Sequence, residues 1–211
     1  MSFPYTQNFN TLNDGDLNGQ DSWSIRSGYR SPVVQTTKKY EGAKGLKSNS
    51  STPWASILRT ITALSGNYHC YFTVFAEATN KSIIWFMLRN SSDSAAISFQ
   101  LATDGKLSVY DFSTSTYIEI MSFSANTWYV IDLEYDIPNK KYRARAYNGS
   151  SWSAYSSWCD FPSGWSTDIV KIDIWMHTVD SSYVYLDYIT DTNPILPPVI
   201  PTGAAFLLRM V

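Results

Sequence analysis

The chain has 211 residues, enough for one large β-domain or two small ones. Its formal net charge is −2 and only 16% of its residues are charged, against about 25% in an average domain, so no electrostatic footprint for nucleic acid or an anionic membrane is present. No run of ~18 apolar residues offers a membrane span, and the opening residues carry neither a basic nor an apolar signal region, so no signal peptide is expected.

Hydrophobic residues reach 44% and aromatics 16%, ample material for a core. Residues 3–30 are dense in Asn, Asp and Gly, which favours turns over helix, until Trp23 and Ile25 re-enter a strand. A short strand is expected at 33–37, and a Gly-punctuated turn at 40–48 leads into another. Strands at 54–61 and 68–76 follow, separated by a turn at Ser65, Gly66 and Asn67. Next come 82–89 and 95–101. Asp104 and Gly105 then sit between alternating runs, the signal of a hairpin turn that needs positive φ. Short strands at 107–112 and 117–123 surround a Ser/Thr loop, 142–147 alternates again, and 169–176 and 183–189 close the series. About a dozen short strands with turn signals between them, and no amphipathic helix, argue for an all-β sandwich.

The stretch 126–136 reads as a central strand. Tyr129, Ile131, Leu133 and Tyr135 fall on one parity and face the core. The other parity carries Asp132, Glu134 and Asp136 in a row, so that face must meet water, a metal or a ligand.

No linker interrupts residues 1–192, which therefore form one domain. Residues 193–211 differ: a proline-rich extended arm ends in an apolar tip, which either folds back on its own sandwich or docks on another subunit. Cys70 and Cys159 belong to no CxxC pair, so they either form a disulfide or are two separate buried thiols. His69 and His177 sit in no motif.

The order of features resembles the concanavalin A-like lectin/glucanase superfamily in its laminin-G-like jelly-roll form. The residues that carry the likeness are Phe9, Leu12, Gly15-Asp-Leu-Asn-Gly-Gln20 and Trp23, then Gly42-Ala-Lys-Gly-Leu-Lys-Ser48, Asp104-Gly-Lys-Leu107, Asn126-Thr-Trp-Tyr129 and Tyr185-Leu-Asp-Tyr-Ile189. It covers about residues 8–190 and implies two antiparallel sheets. The superfamily includes lectins, carbohydrate-binding modules, glycosidases, lyases and domains of phage and viral surface proteins, so fold alone does not decide function.

The resemblance also implies candidate sites. Its glucanases place carboxylates at alternating positions of one strand; Asp132-Leu-Glu134-Tyr-Asp136 alternates correctly but with inverted identities and on a different strand, so no catalytic residue is assigned. Many jelly-roll modules hold a structural calcium, for which Asp14, Asp16 and Asp187 are the matching candidates; the alternative is that they make turns and a loop cap. For glycan binding, exposed aromatics supply stacking surfaces: Trp85 and Tyr110 from strands, and Trp152, Tyr155 and Trp158 from the small-residue loop 148–158. Tyr142 and Trp175 are further aromatic candidates.

The expected reading is a non-catalytic jelly-roll module. It binds glycan, packs through residues 195–211 into a larger assembly such as a phage-type virion surface as a homo-oligomer, or does both, after synthesis in the cytoplasm. The rivals are a glycoside hydrolase or polysaccharide lyase, and a carbohydrate-binding domain of a larger secreted protein.

Overall fold

The computed structural model describes residues 3–49, 54–165, 168–178 and 182–194. Among them there is no helix. Two antiparallel sheets form the sandwich. The eight-stranded sheet runs, in spatial order, β1 (Gly15–Asp16), β3 (Val33–Gln35), β4 (Gly45–Lys47), β15 (Val184–Thr190), β6 (Asn67–Ala76), β11 (Trp128–Asp136), β12 (Lys141–Tyr147) and β13 (Cys159–Asp160). The seven-stranded sheet runs β10 (Thr116–Ser122), β9 (Lys106–Asp111), β8 (Ala95–Leu101), β7 (Ser82–Arg89), β14 (Ile169–Thr178), β5 (Trp54–Leu64) and β2 (Trp23–Ile25).

Alternation decides which residues meet between the sheets. Tyr129, Ile131, Leu133 and Tyr135 on β11 are all buried, as their parity predicts. From the facing sheet come Ile84, Phe86 and Leu88 on β7 and Ile172, Ile174 and Met176 on β14. The layers lock at Phe72 of β6, whose ring stacks on Phe86 of β7 at 4.2 Å and meets Phe99 of β8 edge-on at 5.2 Å. Cys70 and Cys159 are both buried free thiols, not a disulfide.

Turn chemistry closes the hairpins. Gly105 takes φ +78° between β8 and β9, where Leu101 pairs with Leu107, as the Asp-Gly pair implied. Gly42 has a different reason. The Asn10 side chain caps the amides of Ala43 (2.6 Å) and Lys44 (2.9 Å), and any side chain at residue 42 would collide with that Asn10 amide.

Two expectations change in detail. The stretch 54–61 continues to Leu64, because its outer residues pair on with β14 as far as Ile169. The Asn/Asp/Gly-rich opening segment contains a two-residue strand, β1, paired with β3. The proline-rich arm beyond Pro194 lies outside the described residues.

Beyond β13, which pairs only with Lys141 and Tyr142, the rest of the β12 edge is covered by residues 148–158. Ser153 and Ser156 donate their amides to the carbonyls of Ala146 and Ala144 at 2.8 Å. Their hydroxyls accept the Ala146 and Ala144 amides at 3.1 Å.

Phe72→Ala is expected to lower the unfolding free energy by about 3–5 kcal/mol in equilibrium urea denaturation, the scale for deleting a buried aromatic ring. A loss under about 1 kcal/mol would mean the sheets are not locked at this point.

Candidate functional site

The outer face of the eight-stranded sheet centres on Asp132, which has no solvent exposure. Register places Arg145 of β12 and Tyr71 of β6 directly beside it, with His69 on the diagonal. The Asp132 carboxylate accepts from His69 Nδ1 at 2.7 Å, Arg145 Nε at 2.9 Å and the Tyr155 hydroxyl at 2.7 Å. A carboxylate only accepts, so His69 carries its proton on Nδ1. Burial pushes the Asp132 carboxyl up, but the bonds from His69, Tyr155 and Arg145 outweigh it and hold it below the usual range. The hydrogen bond to Asp132 raises His69 in turn, against partial burial. One step along, Glu134 accepts from Arg143 Nε at 2.8 Å.

Loop 148–158 lies across these pairs. Trp152, Tyr155 and Trp158 recur every third residue, and Arg143 and Arg145 every second residue of a strand. The two spacings interleave. Arg145 sits over the Trp152 and Tyr155 rings at 4.6 and 4.5 Å; Arg143 sits over Tyr155 and Trp158 at 4.3 and 4.5 Å. The result is a five-member ladder of alternating rings and guanidinium groups. So the outward carboxylates differ: the chain's own loop covers Asp132, with partners drawn from both neighbouring strands, while Glu134 stays partly exposed beside Arg143.

The outer face of the seven-stranded sheet carries the second aromatic group. Trp175 of β14 and Trp85 of β7 are register partners, and Trp54 of β5 packs on both; the three ring pairs lie 5.4 to 5.8 Å apart. Tyr29 and His177 flank them, at 4.7 Å from Trp175 and 4.4 Å from Trp54. Two of the indole N–H groups are held by neighbours on the same face. Trp175 donates to Asp173 at 2.7 Å and Trp85 to Gln100 at 2.9 Å. Asp173, also without exposure, further accepts from Arg89 at 2.6 Å, from Arg26 at 3.3 Å and from Ser56 at 3.3 Å. Burial nevertheless leaves its carboxyl raised. Beside Trp85 opens a pocket of about 210 Å³ lined by Met87, Ser98, Tyr110, Phe112 and Tyr117 among others. Tyr117 is 50% exposed.

The five aromatic candidates therefore divide. Trp85 and Tyr110 share the pocket; Trp152, Tyr155 and Trp158 lie on the opposite side of the sandwich. Tyr142 is buried, its hydroxyl donating to the Tyr110 carbonyl. Sequence reasoning passed over Trp54, Tyr29, Tyr117 and His69. Trp54 and Tyr117 sit at strand starts, where no alternation marks a face, and His69 acquires its partner only across a strand pair. The Arg-x-Arg spacing at 143 and 145 against the triplet spacing of the loop aromatics was the available signal for the ladder.

No protein-family profile matches the chain, and no curated protein matches it. Solved structures do. A sialidase superposes with a TM-score of 0.64 at 13% identity over 90% of this chain, which spans 18% of that protein. Lectin I-B4 from Griffonia simplicifolia gives a TM-score of 0.57 at 10% identity, over 88% of this chain and 98% of the lectin. The CBM2 module of the evolved Dit of Lactobacillus casei BL23 phage J-1 gives 0.56 at 13% identity, over 90% and 96%. The chain has a concanavalin A-like jelly-roll fold.

In this jelly roll two of the three calcium candidates, Asp14 and Asp187, have other partners. Asp14 pairs with Lys44 at 3.0 Å, and Asp16 is exposed on β1. Asp187 is buried and accepts three backbone amides, from Tyr40 (3.0 Å), Glu41 (3.2 Å) and Tyr188 (2.8 Å). Calcium needs a shell of oxygen donors, and N–H groups aimed at the carboxylate do not supply one. Among the described residues no three His, Cys, Asp or Glu side chains gather as a metal would require. The donor set at Asp187 suits a loop cap.

Burial pushes the Asp187 carboxyl up to about 7, against the three amides that hold it down. The folded state thus binds this proton more tightly than the unfolded chain, where the value is ~3.9. The stability linked to that proton is full below about pH 4 and is lost as pH rises to about 7. Urea denaturation across that window is expected to show a decline that Asp187→Asn flattens. Neither added calcium nor a chelator is expected to move the melting temperature; a rise with calcium would restore the metal reading.

Proposed function

We propose that this chain is a non-catalytic glycan-binding module and that the aromatic face of the seven-stranded sheet takes the sugar. The observation that carries this is the setting of Trp85. Gln100 holds its N–H, Trp54 and Trp175 pack against it, and Tyr110 and Tyr117 stand across an adjoining pocket. Sugars bind by laying their C–H faces on rings held at a fixed tilt, with a few polar groups setting orientation. The likeness to a plant lectin and to a phage CBM2 module supports the same reading.

The non-catalytic part rests on the carboxylates. Asp132 is closed off with three donors, Asp173 lies buried under Trp175, and Glu134 is held by Arg143. A glycosidase needs two carboxyls that reach one bond.

On an array of oligosaccharides, Trp85→Ala and Trp175→Ala are each expected to weaken binding by roughly tenfold or more, the scale of one aromatic contact. Unchanged binding would overturn the site. Release of reducing ends from a polysaccharide, abolished by Glu134→Gln, would overturn the non-catalytic reading.

The phage J-1 module favours a second reading, a surface subunit of a phage-type particle that docks through residues 195–211. The full-length chain is then expected to associate, and a version ending at Asn193 to run as a monomer in native mass measurement. Equal masses would remove the arm's role in assembly.

A further inference from the structure

The ring and guanidinium ladder is closed at one end and open at the other. At the closed end Trp152 packs on Tyr147, 5.5 Å between rings. At the open end stands Trp158, 39% exposed. Arg143 covers one face of its indole; among the described residues nothing else stacks on it, and its N–H makes no hydrogen bond. Beside it is an open pocket of about 470 Å³ lined by Trp158, Asp136, Asn139 and Lys141. That volume falls within the ~300–1,000 Å³ of small-molecule sites.

The polar groups around this pocket still have bonding capacity. Asp136 accepts the Asn139 backbone amide at 3.1 Å and its side-chain amide at 2.7 Å, which fixes the turn and leaves the Asn139 Oδ1 open to a donor. The Lys141 ammonium stands 3.6 Å from Asp160, with both side chains about half exposed, so it remains able to donate elsewhere. The platform itself is pre-set. Glu134 orients Arg143, and Tyr155 backs Arg143 from the other side. A ring held before the ligand arrives loses little freedom on binding.

We propose that Trp158, Asp136, Asn139 and Lys141 form a second glycan site, for a neutral pyranose ring, on the opposite side of the sandwich from the Trp85 face. One stacking ring with a carboxylate, an amide carbonyl and an ammonium around it matches a hydroxylated ring with apolar C–H faces. Asp136 and Lys141, the two charged residues that line the pocket, are opposite in sign, so the lining carries no net charge to recruit an acidic sugar. The proposal does not rest on the Trp85 site. A chain with both sites is divalent and joins two glycans without oligomerising.

The test is an array of neutral oligosaccharides probed with wild type, Trp158→Ala, Trp158→Phe and Trp85→Ala, with folding checked by near-ultraviolet circular dichroism. Trp158→Ala is expected to lose signals that Trp85→Ala keeps, by about tenfold or more, and Trp158→Phe to retain them in part. A folded Trp158→Ala protein that keeps every wild-type signal overturns the second site and leaves the Trp85 face standing. Signals lost only in Trp158→Ala overturn the Trp85 face instead. No binding by wild type overturns both. If Trp158→Ala does not fold, Asn139→Ala combined with Lys141→Ala replaces it, and undiminished binding by that variant overturns the proposal.

Discussion

Burying Asp132 on the outside of a sheet costs several kcal/mol unless donors meet its charge. Its three donors come from three different places: His69 on β6, Arg145 on β12 and Tyr155 in the covering loop. One carboxylate thereby ties two strands and an irregular segment to a single point. Without it, Arg145 would have no reason to lie flat on the sheet. The rings of Trp152 and Tyr155 would then lose the cation between them, and the loop would lose its seat.

The opposite sheet repeats the device with different partners. Asp173 lies at the centre of the outer face of β14, buried, with two arginines, an indole and a hydroxyl around it. There the donors are framework residues and the aromatic rings are left facing outward. On the eight-stranded side the rings are consumed in holding down a loop, except at Trp158. The same chemistry therefore builds a fastened face and an available one.

Strand positions and the core parity of β11 were legible because a pleated strand with one buried face writes a period of two. The Asp104-Gly105 turn was legible because few residues accept positive φ. The fate of the outward parity was not. Asp132, Glu134 and Asp136 look alike in the sequence, yet one is sealed, one is paired across a strand and one faces a pocket. That distinction depends on which strand lies alongside and on where a loop returns, and both are non-local. Trp85 and Tyr110 were readable as surface aromatics. That they share a pocket, while Trp152 stands on the other face, follows only from strand order. Asp187 could be read as a calcium ligand or a loop cap; its amide donors are its own neighbour Tyr188 and, from the loop between β3 and β4, Tyr40 and Glu41, which sequence spacing does not bring to it.

The serines that line β12 have a consequence for how copies of this module meet other proteins. A bare strand edge invites a foreign strand to continue the sheet. Here Ser153 and Ser156 occupy the amides and carbonyls of Ala144 and Ala146 with their own backbone and hydroxyl groups. The sheet is hemmed by its own thread along that side. A protein that approaches there must therefore touch through side chains, and cannot extend the sheet along the Ala144–Ala146 stretch.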